Sequence, residues 1–226
     1  INNDGKKEVL FGTEMGFVYA LNSEGKIIWK YKTEGSVRGG ITIKDLNQDG
    51  RPEIIFGSGD KNLYIISSRG ELINKFEVDE GIESTPTILN NKIIFGTNNG
   101  TIHCITQTGE RIWDFKTNAK ITAKATIGKI QGGEENFIII GSLDQYLYAF
   151  DEEGALIWKF KTEGSIYSEV AIADINKDKK LEIVFGSCDN NIYAIDSYGK
   201  KIWSYETDFW IVAPVIITDI NNDGKL

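Results

Sequence analysis

Residues 174–203 read DINKDKKLEIVFGSCDNNIYAIDSYGKKIW and contain an acidic loop, two apolar runs, a glycine turn and a tryptophan. Most of this stretch recurs along the chain. The Phe-Gly pair at residues 185 and 186 returns at 11, 56 and 95, with an Ile-Gly variant at 140, at intervals of 39 or 45 residues. A period of roughly 40 to 50 residues is typical of β-propellers, in which each repeat forms one blade. The sequence therefore predicts five repeats of one structural unit.

Within one repeat, four short segments have the character of β-strands. In the last complete repeat they are residues 166–175, 181–186, 191–195 and 201–205, separated by turn-rich segments. The fourth alternates, since Trp203 and Tyr205 fall on one face, whereas the second is apolar on both faces, as expected for a sheet packed between two others. No helical periodicity is present. We predict an all-β fold, a β-propeller of four-stranded antiparallel blades.

A glycine and a tryptophan recur at the junction of the third and fourth strands. The glycine stands four residues before the tryptophan position, where a tight turn requires positive φ. The glycines are Gly25, Gly70, Gly109, Gly154 and Gly199, and the tryptophans are Trp29, Trp113, Trp158 and Trp203, with Asn74 replacing the tryptophan in the second repeat.

Three copies of this junction carry a recognisable motif. The strings YALNSEGKIIW, YAFDEEGALIW and YAIDSYGKKIW resemble the Ala-x-Asp-x-x-x-Gly-x-x-x-Trp docking motif of the pyrroloquinoline quinone (PQQ) repeat family. That family includes quinoprotein alcohol dehydrogenases and non-catalytic, BamB-like propellers of outer-membrane assembly. The resemblance implies that the four tryptophans pack between adjacent blades, and that the interface at Asn74 is weaker than the others.

Composition excludes two classes of partner. The chain has 226 residues, 41% hydrophobic and 26% charged, which is ordinary globular composition. Its net charge of −8 would repel a nucleic-acid backbone. No apolar run approaches the roughly 18 residues of a membrane-spanning helix, so we expect no membrane span. Cys104 and Cys188 lie at different places within their repeats, which indicates two free thiols rather than a disulfide or a metal clip.

Two repeats carry an acidic loop between the first and second strands, DLNQDGRPE at residues 45–53 and DINKDKKLE at residues 174–182. Carboxylates and an amide at positions 1, 3, 5 and 9, with a backbone carbonyl at position 7, suit an oxygen cage for Ca²⁺, and the loops resemble those of FG-GAP and VCBS propeller repeats. Lys179 replaces the glycine at position 6, so we expect weaker binding there. The predicted ligands are Asp45, Asn47, Asp49, Arg51 and Glu53 in the first loop and Asp174, Asn176, Asp178, Lys180 and Glu182 in the second.

The alternative for these loops is a solvated hairpin rich in Asp, Asn and Gly. Against it, the second repeat makes the same connection with only residues 90–92, so a short turn suffices. The third repeat keeps the length, at residues 129–136, without the ligand pattern. Mg²⁺ is a poorer match because the spacing offers more than six oxygens.

The two ends of the chain repeat the same loop, because residues 1–5 match residues 220–224. Two readings follow. Either residues 1–226 form a single domain in which residues 212–220 supply the missing first strand to the blade that begins at Val9, or the chain is a five-repeat segment of a larger propeller. The resemblance favours the segment, since rings of that family usually have seven or eight blades.

A few residues depart from the repeat. The connector after the last blade places Phe209 and Trp210 where other connectors have small or polar residues, which suggests a contact surface for a protein or a sugar, or else burial against another blade. His103 replaces a recurring tyrosine, and we expect it to be a packed structural residue. Recurring aspartates, which are expected to cap their own turns, are Asp60, Asp144 and Asp189.

Three functions are consistent with these observations. The first is a non-catalytic, Ca²⁺-stabilised propeller that serves as a protein-interaction scaffold. The second is a PQQ-dependent quinoprotein dehydrogenase, but the chain lacks the adjacent cysteine pair of that family, so we expect no PQQ and no catalytic residue. The third is a carbohydrate-binding propeller, supported by Phe209 and Trp210. Ca²⁺ sites of this kind are commonest outside cells, which favours the cell envelope or an extracellular location.

Overall fold

The computed structural model describes residue 1, residues 5–129 and residues 136–220. Most of the loop that the two chain ends repeat, at residues 1–5 and 220–224, and most of its counterpart in the third repeat, at residues 129–136, lie outside the described residues. The chain forms two compact units, Ile1–Lys116 and Thr117–Leu226.

The first unit contains three antiparallel sheets, and in each of them strands that are neighbours in sequence pair with one another. Blade 1 has three strands, β1 (Val9–Gly12), β2 (Phe17–Leu21) and β3 (Ile27–Lys32). Blade 2 has four strands, β4 (Thr42–Lys44), β5 (Glu53–Gly57), β6 (Asn62–Ile66) and β7 (Leu72–Glu77). Blade 3 has β8 (Thr87–Leu89), β9 (Lys92–Gly96), β10 (Thr101–Thr106) and β11 (Arg111–Lys116).

The second unit contains two four-stranded sheets of the same topology. Blade 4 has β12 (Thr126–Lys129), β13 (Asn136–Gly141), β14 (Tyr146–Phe150) and β15 (Leu156–Lys161). Blade 5 has β16 (Ala171–Ala173), β17 (Glu182–Gly186), β18 (Asn191–Asp196) and β19 (Lys201–Glu206). The described residues contain no helix, and therefore none that could cross a membrane. The predicted all-β fold of propeller blades is confirmed, with blade 1 one strand short in the described chain.

The first strand of blade 5 is shorter than the sequence predicts. Residues 166–175 were expected to form one strand, but only Ala171–Ala173 pair with the next strand. The segment before them is a connector, and the amide of Ile166 donates to the carbonyl of Ser142 at 3.1 Å. Residues 212–220 form no strand, and Ile216 and Ile220 are exposed. Apolar composition alone did not distinguish an extended connector from a paired strand.

In blades 2 to 5 the second strands lie inside the sheet and are largely buried, as their apolar sequences predict. Every residue of β5 and β17 is buried. The largest fully buried side chains include Phe56, Phe95 and Phe185 of the Phe-Gly pairs. The fourth strands instead alternate between exposed and half-buried residues in β3, β7 and β15. This gradient places the core along the second and third strands and the solvent along the fourth.

A register shift recurs at the same place in all five blades. It lies between Ala20 and Leu21 in blade 1 and between Ala194 and Ile195 in blade 5, opposite the strand that carries the tryptophan position. Such bulges locally increase strand twist. Nothing in the sequence signals them, because both residues at the shift are apolar.

The tryptophan of one blade packs on the glycine turn of the next. Trp29 Nε1 donates to the carbonyl of Ser68 at 3.0 Å, and a Cβ placed on Gly70 would lie 2.8 Å from the Trp29 ring. Trp158 makes the same pair of contacts with Ser197, at 3.0 Å, and with Gly199, at 2.8 Å. Both glycines have positive φ. The docking role implied by the family resemblance is therefore seen directly at these two junctions.

Asn74 cannot provide this contact, and a different side chain covers the turn of blade 3. A Cβ on Gly109 would lie 2.1 Å from the ring of Phe76, two residues beyond Asn74 on β7. The Asn74 side chain accepts a hydrogen bond from the amide of Lys75. The expectation that this interface is weaker stays a prediction.

A second contact between blades involves the recurring aspartates. Asp60 accepts from the hydroxyl of Tyr64 at 2.8 Å and from the amide of Glu34, in the preceding connector, at 2.9 Å. Asp189 does the same with Tyr193 and Glu163, at 2.8 and 2.9 Å. Burial acts to raise the pKa of both aspartates, but these hydrogen bonds outweigh it and hold the pKa below its ordinary value. The aspartates cap their turns, as predicted, and also join neighbouring blades.

The packing of the tryptophan on the glycine turn gives a testable prediction, and an equivalent tryptophan in the same chain serves as its control. Trp158→Ala should lower the free energy of unfolding by roughly 2–4 kcal/mol, because it removes the indole from the Gly199 turn and leaves the Ser197 carbonyl without its donor. Trp203→Ala, at the equivalent but exposed position, should cost less than about 1 kcal/mol in dilute protein. Urea unfolding followed by far-UV circular dichroism measures both. Equal losses would show that the dock contributes little to stability.

Candidate functional site

The first acidic loop is a tight turn held by its own side chains. Asp45 accepts from the amides of Asp49 and Gly50, at 3.2 and 2.9 Å. Asn47 Oδ1 accepts from the Asp49 amide at 2.9 Å, and Asp49 accepts from the Arg51 amide at 2.8 Å. Gly50 has a φ of 82°, which explains a glycine at position 6.

The second acidic loop reproduces this arrangement contact by contact. Asp174 accepts from the amides of Asp178 and Lys179, at 3.1 and 2.8 Å. Asn176 Oδ1 accepts from the Asp178 amide at 2.8 Å. Lys179 adopts a φ of 67° at the position of Gly50, so this loop tolerates the strain expected from its sequence rather than changing its turn. A non-glycine residue in the left-handed region costs on the order of 1 kcal/mol.

The closing glutamate of each loop is buried. Glu53 is 5% exposed and Glu182 is 2% exposed. Glu182 accepts from the Ile175 backbone amide at 2.9 Å and from Nδ2 of the Asn176 side chain at 3.4 Å. Burial raises the pKa of Glu182, and repulsion from Asp178 and Asp174 adds to the shift. A buried carboxylate near two others is an arrangement that a cation would stabilise.

Each loop borders a cleft to which most of the predicted ligands contribute. Asn176, Asp178, Lys180 and Glu182 line one cleft, together with residues 196–198. The counterparts in the first loop, which are Asn47, Asp49, Arg51 and Glu53, line another with residues 67–69. The leading aspartates Asp45 and Asp174 line neither of these two clefts.

The structure does not gather the acidic side chains into a tight cluster. Among the described residues, no group of three or more His, Cys, Asp or Glu side chains lies close enough to hold a metal ion. The leading aspartates use their oxygens on backbone amides instead. The donor set, made of oxygens alone, has the chemistry that Ca²⁺ prefers. Ca²⁺ binding by these ten residues stays a prediction.

The connector after β19 presents two aromatic side chains to solvent. Phe209 is 69% exposed and Trp210 is 58% exposed, and their rings stack with centroids 5.3 Å apart. Thr207 fixes the connector, because its amide donates to the Asn190 carbonyl at 2.6 Å and its hydroxyl donates to the Phe209 carbonyl at 2.8 Å. The backbone is thus held while the rings remain accessible. Phe209 and Trp210, the two residues of the predicted partner surface, are therefore both accessible to solvent.

His103 is packed, as predicted, but its acidic neighbours were not foreseen. It is 4% exposed and stacks on Phe95 with centroids 5.2 Å apart. Its Nδ1 lies 2.8 Å from Asp114 and its Nε2 lies 3.5 Å from Asp79. These partners come from β11 and from the preceding connector. Asp79 and Asp114 do not belong to the recurring aspartates, so the repeat pattern gave no signal for them.

The two cysteines are free thiols, as predicted. Burial raises the pKa of Cys104 to about 11 and also raises the pKa of Cys188. A thiol with a raised pKa carries little thiolate at neutral pH and is a poor nucleophile. Neither residue has the features of a catalytic cysteine.

The family model described as the lambda-carrageenase beta-propeller domain matches residues 1–86, 89–157 and 148–225. Among solved structures, BamB from Moraxella catarrhalis is similar with a TM-score of 0.62 and 16% sequence identity, over 97% of this chain and 76% of that chain. At that identity the similarity shows a shared fold, in agreement with the resemblance to BamB-like propellers.

A search of curated proteins found no match. The family model, in contrast, matches three consecutive segments that together span nearly all of the chain. The chain therefore belongs to the family of the lambda-carrageenase beta-propeller domain.

Proposed function

We propose that this chain is a non-catalytic, Ca²⁺-stabilised PQQ-like propeller that acts as a scaffold for a protein partner. The observation that carries the proposal is the exposed, stacked pair Phe209 and Trp210 on a hydrogen-bonded connector. Large aromatic side chains on a fixed backbone are typical anchors of protein interfaces, because little conformational entropy is lost on binding. The repeats supply the frame, and the partner binds where the repeats differ.

A quinoprotein dehydrogenase is the less favoured function. The resemblance to that family would require two adjacent cysteines, whereas the two cysteines of this chain are in different repeats. No residue could be matched to the cofactor shell of the family. We therefore place no catalytic role on any side chain.

Ca²⁺ is proposed as a stabiliser of the two acidic loops. The oxygens that would hold it are those of Asn47, Asp49 and Glu53, with the Arg51 carbonyl and Asp45, and their counterparts in residues 174–182. The strongest support is the burial of Glu182 beside Asp174 and Asp178, since the unfavourable charge would be neutralised by a cation. When bound, the ion would supply positive charge and cross-link the first and second strands.

If Ca²⁺ binds, removing it should lower thermal stability. EDTA is expected to lower the melting temperature by about 5 °C, and excess Ca²⁺ to restore it, because a ligand that binds only the folded state stabilises it. Asp45→Ala should remove most of this shift, whereas Glu110→Gln, an exposed acid outside the loops, should leave it intact. Differential scanning calorimetry checks both. A melting temperature that ignores EDTA would identify the loops as plain hairpins.

The raised pKa of Glu182 predicts a pH dependence with a definite sign. The folded protein binds the Glu182 proton more tightly than the unfolded chain, so metal-free protein should lose stability as pH rises from the ordinary glutamate pKa through the raised one. Glu182→Gln should remove this loss and also weaken the response to Ca²⁺. Urea midpoints across about pH 4 to 7, with Glu110→Gln as the matched control, give the comparison. A variant with the wild-type pH slope would contradict the assignment.

The partner surface can be tested with a photo-crosslinker. Benzoylphenylalanine at position 210 should give a protein adduct in a native lysate, and Phe209→Ala in the same chain should reduce its yield. The same crosslinker at position 112, on an exposed β11 side chain, is the control. Phe209→Ala should change the free energy of unfolding by less than about 0.5 kcal/mol, because the ring is exposed. Equal adducts from both positions would argue against a dedicated surface.

Carbohydrate binding is the second candidate, favoured by the family to which the chain belongs and by the stacked aromatic pair. Sugar rings pack on exposed aromatic faces. Titration of the chain with oligosaccharides of lambda-carrageenan, followed by tryptophan fluorescence, tests it. Saturable quenching that Trp210→Ala abolishes would favour the sugar over the protein partner. An unchanged spectrum would remove this candidate for that glycan.

A further inference from the structure

A polar cleft lies between blades 2 and 3, inside the first unit. Its volume is about 320 Å³, within the usual range of small-ligand sites, roughly 300–1,000 Å³. Carboxamides are four of its seven lining side chains, and each carboxamide both donates and accepts hydrogen bonds. The lining consists of residues 44–46 and Gln48 from blade 2, and of Asn90, Asn91 and Gln107 from blade 3.

The cleft lies where blade 3 departs from the length of its neighbour. In blade 2, residues 45–52 connect β4 to β5, whereas in blade 3 only Asn90 and Asn91 connect β8 to β9. A long loop therefore stands beside a short turn, and the cleft is lined by both of them. The shortened connection of the second repeat thus has a structural consequence, which is an opening between two blades.

Gln107 departs from the residue type of the repeat. Serine occupies this position in blades 1, 2 and 5, as Ser23, Ser68 and Ser197. The carbonyls of Ser68 and Ser197 accept a hydrogen bond from an indole, whereas Phe76 covers the corresponding turn of blade 3. Gln107 is half-buried, and its longer side chain lines the cleft.

Turn geometry explains one of these amides but not the pair that we consider most important. Asn90 has a φ of 54°, a conformation that asparagine tolerates, so the turn alone accounts for its identity. Asn91 and Gln107 lie outside the positive-φ region. Gln107 Nε2 donates to Asn91 Oδ1 at 3.3 Å, which links the two turns of blade 3. Within the part of the chain that the structure describes, Asn91 Nδ2 and Gln107 Oε1 remain available to a ligand.

The charge and polarity of the lining indicate the class of ligand. Lys44 and Asp45 contribute one charge of each sign, and Asp45 already accepts from the amides of Asp49 and Gly50. Among the seven lining residues, Leu46 is the one apolar side chain. Protein partners are usually anchored by large apolar or aromatic side chains in desolvated pockets, which this lining does not offer. It suits a neutral ligand that carries many hydroxyl groups.

We propose that the cleft between blades 2 and 3 binds a neutral oligosaccharide through the side chains of Asn91 and Gln107. One sugar hydroxyl donates to Gln107 Oε1 while a neighbouring hydroxyl accepts from Asn91 Nδ2. A strongly anionic polymer is disfavoured, because the chain has a net charge of −8. The cleft does not include Phe209 or Trp210, so the inference goes beyond the function proposed above and does not depend on it.

Nuclear magnetic resonance of the side-chain amide groups tests the proposal. The probes are galactotetraose, cellotetraose and mannotetraose, each titrated into the isotope-labelled chain. At least one of them should shift the side-chain resonances of Asn91 and Gln107 in a saturable manner. The Kd should be on the order of 1 mM, because an open cleft buries only part of its ligand.

Variants with intact turns show whether the two amides make the contact. Gln107→Ser restores the residue of blades 1, 2 and 5, so it should fold normally. Gln107→Ser and Asn91→Ala should each weaken binding about fivefold or more, because each removes a hydrogen-bonding group that faces the ligand. Asn118→Ala, which removes an exposed amide of the second unit, is the matched control and should leave the Kd unchanged. The backbone amide spectrum checks that every variant remains folded.

Three results would overturn the proposal. The first is a chain whose side-chain amide resonances respond to none of the three saccharides. The second is binding that both Gln107→Ser and Asn91→Ala leave intact. The third is a shift of the same resonances by hexaglycine but not by the saccharides, which would identify a peptide site.

Trp210→Ala separates this cleft from the aromatic surface of the second unit. Saccharide binding in the cleft should persist in Trp210→Ala, whereas binding that Trp210→Ala abolishes and Gln107→Ser does not belongs to the aromatic surface and overturns this proposal. If the cleft stays empty while the crosslinker at position 210 captures a protein, the scaffold function stands and the saccharide site does not. If the cleft binds saccharide while the crosslinker captures nothing, the reverse holds.

Discussion

Where blade 1 meets blade 2 and blade 4 meets blade 5, the arrangement of the blades depends on an indole packed on a glycine turn. The turn residue must be glycine for two reasons. Its φ is positive, and a Cβ would lie only 2.8 Å from the indole ring. The ring must be tryptophan because Nε1 donates to a turn carbonyl, as Trp158 does to Ser197. A blade therefore depends on its neighbour. The free energy of unfolding combines the stability of the single blades with that of the interfaces between adjacent blades, as in other repeat proteins.

The hydrogen bonds of the recurring aspartates provide a second contact between neighbouring segments, at a different part of the blade. Asp189 joins its own tyrosine to the preceding connector, and both bonds favour its ionised form. Blade 3 departs from this pattern. Its turn has Asn99 in place of the aspartate, which donates to the connector residue Asp79 at 2.6 Å, and His103 takes the place of the tyrosine. In blade 3 the carboxylate therefore belongs to the connector instead of the turn, and a hydrogen bond still joins the two segments.

The sequence was most informative where one local requirement selects one residue type. The apolar runs of β5 and β17, the positive-φ glycines and the exposed fourth strands all followed from the repeat. It failed where structure depends on partners distant in sequence. Residues 166–170 and 212–220 are as apolar as a strand, but an extended segment becomes a strand only if an adjacent edge is available for pairing. The link from Asp60 to Glu34 likewise depends on packing that no single repeat contains.

The acidic loops show why a site is harder to predict than the turn that carries it. The amide hydrogen bonds to Asp45 and Asp174 hold the turn in either case, so they do not separate a hairpin from a cation loop. The buried glutamate bears on the difference through its charge. Glu182 is 2% exposed beside two aspartates, an arrangement that raises its pKa and so disfavours its charge. Hydrogen bonds from the Ile175 amide and the Asn176 side chain offset part of that cost, and the Ca²⁺ that we propose would offset more of it.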